Sequence, residues 1–320
     1  MILIWRSILM ILPFALWGTA MAAMAPLVSS SGPEIVAFLR LVPAGLFVII
    51  AALFLRRNIS ISKDDLFWFV VFTIVDASLF QIFLAKGLSQ TGAGLGSVLI
   101  DSQPLMVALL ARALFGDLIN PVGWIGLMIG LAGIICLGIP GNYLKNWLLL
   151  GQTVSDGSLL SHGEGWMLTA ALAMALGTVL IRFACKKSDP VAVTGWHMFF
   201  GGFPILIWHY FDNSIPFWPT WNLTEWGLMI YASLFGSALA YGLFFWFANQ
   251  VELTSFSTLA FLTPVFALFT GGIWLGERLG PLQWIGVALI FVSVLLVSQR
   301  SRFWGKNEKL IKNLDEGLSK

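Results

Sequence analysis

Residues 97–128 read SVLIDSQPLMVALLARALFGDLINPVGWIGLM, and residues 257–288 read STLAFLTPVFALFTGGIWLGERLGPLQWIGVA. The second stretch follows the first at a constant offset of 160 positions, without a gap. Pro104 falls on Pro264, Gly116-Asp117 on Gly276-Glu277, Pro121 on Pro281, and Trp124-Ile125-Gly126 on Trp284-Ile285-Gly286. Apolar residues match by chance in any hydrophobic chain, but an ordered set of Pro, Gly and Trp does not. Self-similarity of this kind decides architecture before any local reading does.

Weaker matches extend the repeat. Arg40 follows Pro33 by seven positions, as His197 follows Pro190, so the two occupy equivalent places. Leu16-Trp17-Gly18-Thr19 resembles Ala175-Leu176-Gly177-Thr178. The chain therefore divides into a first half at 1–139, a connecting loop at 140–164, a second half at 165–299 and a charged tail at 300–320.

Composition names the solvent. Of 320 residues, 58% are apolar and 11% charged, against roughly 25% charged in a soluble domain. Lipid must cover most of that surface. Apolar runs near the spanning length of about 20 residues fall at 7–28, 34–55, 66–87, 92–115, 121–139, 165–185, 190–211, 225–248, 254–276 and 281–299. The expected fold is all-α and integral to a membrane, with ten transmembrane helices. Arg6 and the Ala20–Ala25 run imitate a secretory leader, but the apolar stretch continues to Val28 and reads as the first span. Trp218 and Trp221, with two prolines in loop 212–224, suit a belt at the headgroups.

Loop charges set the orientation. With the N-terminus inside, the inner side holds Arg6, Arg56, Arg57, Lys63, Arg112, Arg182, Lys186, Lys187 and the six bases from Arg300 onward; the outer side holds Lys86, Lys145 and Arg278. That asymmetry places both termini in the cytoplasm of a cell (inner or plasma) membrane. Five spans is an odd number, so the second half enters the membrane upside down relative to the first. Inverted repeats belong to secondary transporters, with the substrate site near the midplane and access alternating as the halves rock.

Each half resembles an EamA domain of the drug/metabolite transporter superfamily, over nearly all of 1–299. The residues that carry the likeness are Trp17-Gly18, Arg40, Pro104, Gly116 with its acidic neighbour, Gly126 and Gly133, then Pro264, Gly276-Glu277 and Gly286. The runs LWGTAMAAM, AGLGSVLIDSQP and DPVAVTGWHM look like the cyanobacterial and chloroplast branch. Asp117 stands where the family usually has Glu, Leu176 where Trp is common, and Ser293 where the first half has Gly133. The resemblance implies a ten-helix transporter of small metabolites, often an exporter, and names no substrate.

Ionisable side chains at bilayer depth cost about 2.5–3.5 kcal/mol on insertion scales and mark function by default. Asp101, Asp76 and Arg40 are the expected substrate-binding residues. Gln81, Gln103, Trp17 and Tyr241 are expected to line the same cavity. Asp101, Asp76 and His197 are candidates for proton coupling. Pro104 and Pro264 each remove a backbone donor and break their helices, which requires a cavity or a partner nearby. The plain alternative is that Arg40 pairs with Asp76 or Asp101 only to hold helices together. One arginine cannot neutralise two carboxylates, which leaves one acid for a proton or an amine. Gly123, Gly126, Gly130 and Gly133 form a stripe for close helix contact, inside the protomer or across a dimer. Lys86 is expected to snorkel to the outer interface.

The reading is thus a secondary transporter exporting a small polar metabolite such as an amino acid or amine, as monomer or homodimer, with no cofactor and no nucleic-acid partner. Cys136 and Cys185 have neither disulfide nor metal-ligand spacing. An organophosphate exchanger would call for two or more bases at depth. A membrane enzyme would need a nucleophile–base pair or metal set, and no HExxH, GxSxG or CxxC occurs. A channel would need ring-like repetition that is missing here. Gly92, Gly94 and Gly96 lack the strand–turn–helix of a nucleotide loop.

Overall fold

The computed structural model describes residues 2–84, 86–87, 99–117, 119–138, 162–211, 218–275 and 280–300. The connecting loop to Ser161, the TGAGLGS glycines, Gly276-Glu277, Lys145, Arg278 and the tail beyond Arg300 lie outside the described residues. The regular elements among the described residues are all helices, without strands. Helix α1 is Ile2–Ser31, α2 Pro33–Phe54, α3 Leu66–Leu84, α4 Gln103–Phe115, α5 Pro121–Gly138 and α6 His162–Ala184. They are followed by α7 Pro190–Phe211, α8 Leu223–Ala248, α9 Leu253–Thr258, α10 Leu262–Leu275 and α11 Pro281–Ser298. Eight of the helical segments among the described residues are long and apolar enough to cross a membrane, and Gln103–Phe115 and Pro121–Leu137 are shorter apolar helices. Helices satisfy every backbone group internally, which lipid demands. The chain is an all-helical, multi-pass membrane protein.

Local chemistry places the ends. Gly32, at φ +81°, turns the chain between α1 and Pro33, the first residue of α2. Gly116, at φ +69°, closes α4 in the left-handed conformation that glycine adopts without strain. Asn222 and Glu225 form a reciprocal capping box at the start of α8. Each proline of the repeated motif lies in the first turn of a helix. The chain turns at Asp101-Ser102 before Pro104, and a 3₁₀ turn at Leu259–Phe261 precedes Pro264.

Packing joins the first half to the second. Helix α2 lies along α7 and α5 along α11, while α1 packs on α10 and α4 on α6. Glycine permits the closest of these approaches. A Cβ on Gly45 would sit 2.5 Å from the Phe199 nitrogen and 2.6 Å from the Gly195 carbonyl oxygen. A Cβ on Gly126 would sit 2.6 Å from Val297 Cγ2, and one on Gly133 2.9 Å from Ile290 Cγ1. The α5 glycine stripe thus serves a contact inside the protomer.

One end of the bundle is tied shut. Arg57 pairs with Asp189 at 2.9 Å. Asp65, 1% exposed, accepts from the Lys187 backbone N–H at 2.7 Å and the Ser188 hydroxyl at 2.8 Å. Trp196 Nε1 donates to the Ile59 carbonyl at 2.8 Å. Arg182 donates to the carbonyls of Ala248 and Val251 at the end of α8, and Arg300 pairs with Glu252 at 2.6 Å. Beneath this layer Phe14, Trp17, Phe244 and Phe256 pack ring against ring, with centroids 4.9–5.9 Å apart.

Candidate functional site

Above that aromatic floor lies a cavity of about 450 Å³. Its lining runs from Trp17, Arg40, Tyr241 and Thr263 at mid-bundle to Val28, Pro33, Leu84 and Met167 at the end opposite the tied one. Six of the expected site residues line it: Trp17, Arg40, Gln81, Asp101, Gln103 and Tyr241. They come from five helical segments and from both halves of the chain. Pro104, buried at the start of α4, holds the turn that presents Asp101.

Arg40 is the one base and Asp101 the one acid among the described lining residues. Neither forms an ion pair among the described residues, and Arg40 pairs with neither Asp76 nor Asp101. Arg40 Nη1 instead lies 3.7 Å from Met24 Sδ, its Nε is buried without a hydrogen-bond partner, and the Tyr241 hydroxyl stands beside it and Gln81. Gln103 donates to Thr178 Oγ1 at 3.0 Å, which fixes its amide at the cavity wall. The remaining wall is apolar: Met21, Met24, Val36, Phe80, Leu84, Ile100, Met167 and Met174. Such a space solvates a charged group only through Arg40, Asp101 and a few dipoles.

Asp76 and His197 lie elsewhere. Asp76 sits in a π-helical turn, Thr73–Leu79, inside α3. Its carboxyl meets His197 Nε2 of α7 at 3.1 Å, with Asp76 2% and His197 1% exposed. His197 stacks on Phe72 at 4.3 Å and takes the edge of Phe245 at 5.3 Å. Neither residue lines the cavity. Lys86 does not simply reach for the interface: its Nζ lies over the rings of Trp166 and Trp208, at 4.9 and 4.2 Å.

The methionines are the wall residues that sequence reasoning passed over. Met21 and Met24 stand three apart on α1, and Met167 and Met174 seven apart on α6. Each pair lies on one helical face, a signal available in LWGTAMAAM itself. Methionine is flexible and polarisable, so such a wall adapts to varied apolar groups.

A membrane-embedded helical bundle with a cavity reaching one end and a sealed opposite end is the architecture of a small-molecule transporter. The EamA-like transporter family model matches residues 4–139 and again 161–299. The uncharacterized transporter sll0355 of Synechocystis is 47% identical over 296 residues, covering 92% of this chain and 89% of that protein. The chloroplastic WAT1-related protein At3g02690 of Arabidopsis thaliana is 43% identical, covering 90% of this chain and 68% of that protein. Protein PecM of Dickeya dadantii is 27% identical, with 94% of each chain covered. A crystal structure of a further protein superposes with TM-score 0.76 at 16% identity, over 93% of this chain and 97% of that one, and so shares the fold. This chain belongs to the EamA-like transporter family, within its cyanobacterial and chloroplast branch. It is a membrane transporter of the drug/metabolite superfamily.

Proposed function

We propose that the chain is a ten-helix secondary transporter of two inverted five-helix repeats, exporting a small zwitterion or amine such as an amino acid. It resides in the cell membrane with both termini cytoplasmic, and the tied end faces the cytoplasm. The observation that carries the reading is that Arg40 and Asp101 share one largely apolar cavity and form no ion pair among the described residues. Arg40 takes the substrate's carboxylate, Asp101 its ammonium, and the methionine wall its apolar body. Export follows when the halves rock, the tied end opens and the present mouth closes.

Three further features support it. The interhelical pairings respect the repeat, because exchanging equivalent spans maps α1–α10 onto α6–α4 and leaves α2–α7 and α5–α11 in place. Arg40 is the one base among the described lining residues, whereas an organophosphate would call for more than one. Asp101 can also carry a proton during the return step, which makes it the coupling candidate that touches the cavity.

The test is a thermal-shift screen of purified protein against amino acids, polyamines, purines and sugar phosphates, with Asp101→Asn beside wild type. A ligand at about 100 times its Kd stabilises by about 2.7 kcal/mol. An amine-bearing compound should stabilise wild type and lose its effect on Asp101→Asn, and the same compound should show saturable counterflow in vesicles. Equal stabilisation of both proteins removes Asp101 from the substrate site.

A further inference from the structure

Asp76 and His197 occupy one of two related places in the fold, and the other lacks its acid. This relation rests on the repeat reading proposed above, with α1 and α2 related to α6 and α7, and α3 to α8. Each of the two latter helices carries a π-helical turn, Thr73–Leu79 in α3 and Leu234–Leu239 in α8. The first turn packs against α6 and α7, and the second against α1 and α2. Within the first, Asp76 fills the space beside Gly177, where any Cβ would strike its carboxyl. Within the second, Gly236 faces Ala20 in the same manner.

These contacts choose the register. Ala20 relates to Gly177 at an offset of 157, the offset that also relates Arg40 to His197. That is two residues from the pairing suggested by Gly18-Thr19 and Gly177-Thr178. Asp76 then relates to Gly236 at 160, the offset of the long repeat.

So the place built in one half as acid, glycine and histidine is built in the other as Gly236, Ala20 and Arg40. The basic residue is kept and the carboxyl is deleted. Arg40 forms no ion pair among the described residues and has a buried Nε without a partner. Ala20 and Arg40 both line the cavity. We infer that the substrate's carboxylate sits at Arg40 in the place that Asp76 fills beside His197. The protein thus contains two related carboxyl sites, one occupied by its own side chain and one left for cargo. Specificity for a carboxylate follows from an absent residue as much as from a present one.

The experiment restores the missing acid. Ala20→Gly with Gly236→Asp copies the Gly177–Asp76 arrangement and removes the clash with Ala20, and Ala20→Gly with Gly236→Asn is its uncharged control. Arg40 reactivity toward phenylglyoxal, followed on the Arg40 peptide by mass spectrometry, should fall about tenfold in the Asp variant relative to the Asn variant, the factor of a 1.4 kcal/mol charge pairing. The Asp variant should also lose stabilisation by L-phenylalanine and keep any given by phenethylamine, which has the same body without the carboxylate. Equal Arg40 reactivity in the two variants overturns the inference. Protection of Arg40 in a protein that no amino acid stabilises would sink the zwitterion reading alone. Should the Asp variant fail to fold, Asp76→Gly tests the relation from the other side. Sodium formate, compared with sodium chloride at equal ionic strength, should raise the thermal stability of Asp76→Gly more than that of wild type, because the Arg40 site is open to formate in both proteins and the His197 site only in the variant. No excess formate effect on Asp76→Gly over wild type refutes the equivalence.

Discussion

The Asp76–His197 pair permits a sharp prediction because its hydrogen bonds count its protons. His197 Nδ1 lies 2.6 Å from the Thr194 carbonyl oxygen, which can only accept, so Nδ1 carries a hydrogen. The 3.1 Å contact from Nε2 to Asp76 then needs one proton between the two atoms. With both groups buried among Phe72 and Phe245, separating charge there is expensive, and the neutral arrangement, Asp76 donating to Nε2, is favoured. Asp76→Asn keeps that geometry, since the amide N–H replaces the acid O–H in the same volume beside Gly177. The expected loss is under about 1 kcal/mol. Asp76→Ala orphans the buried Nε2, at about 1–3 kcal/mol, and leaves a small void that adds about 1 kcal/mol. The expected total is about 2–4 kcal/mol. Equilibrium unfolding in mixed micelles, titrated with SDS, measures both variants against wild type. If Asn costs as much as Ala, the pair is ionic, with the shared proton on His197 Nε2 rather than on Asp76.

Other expectations test the packing and the charged end. Gly126→Val should destabilise by about 1–3 kcal/mol through overpacking, because its Cβ already meets Val297 and Leu296. Gly227→Ala, with open space around it, should be neutral or stabilise by up to about 1 kcal/mol on helix propensity, in the same unfolding assay. Burial raises the Glu252 carboxyl, but hydrogen bonds from Ser255 and the Arg300 charge outweigh it and hold the group below 4.5. A depressed carboxyl contributes stability above its unfolded value and loses it as pH falls. Wild type should therefore lose thermal stability below about pH 4.5 more steeply than Glu252→Gln, and parallel curves would contradict this. Asp117 has the opposite sign: burial and then the neighbouring Glu252 raise it above 3.8, so its ionisation opposes folding as pH rises. Asp117→Asn should raise the melting temperature at pH 7, and a fall would mean that the Arg182 and Arg300 charges dominate.

Much of the fold was legible because lipid simplifies the problem. Apolar length reports spans, and the breaks at Pro104 and Pro264 were readable from proline chemistry, with turns now found at Asp101-Ser102 and Leu259–Phe261. The cavity residues Arg40, Asp101, Gln81 and Gln103 stood out because each is costly in hydrocarbon unless it faces a polar space. That same argument over-collected. It grouped Asp76 with Asp101, since hydropathy measures depth and not direction, and only the packing of α3 on α7 turns Asp76 toward His197. The π-helical turns gave no signal in local composition, yet one of them sets where Asp76 points.

The chain alone determined its solvent, its helical multi-pass character, its internal sequence repeat and its short roster of buried charges, because these depend on residue type and spacing. Tertiary structure decided which charges meet. Arg40 of α2 and Asp101 of the turn before α4 share one cavity without an ion pair among the described residues, while Asp76 is joined to His197, 121 residues away. That choice rests on rotation about helix axes and on contacts such as Gly177 against Asp76. No single helix encodes its own rotation; the neighbours that pack against it set it.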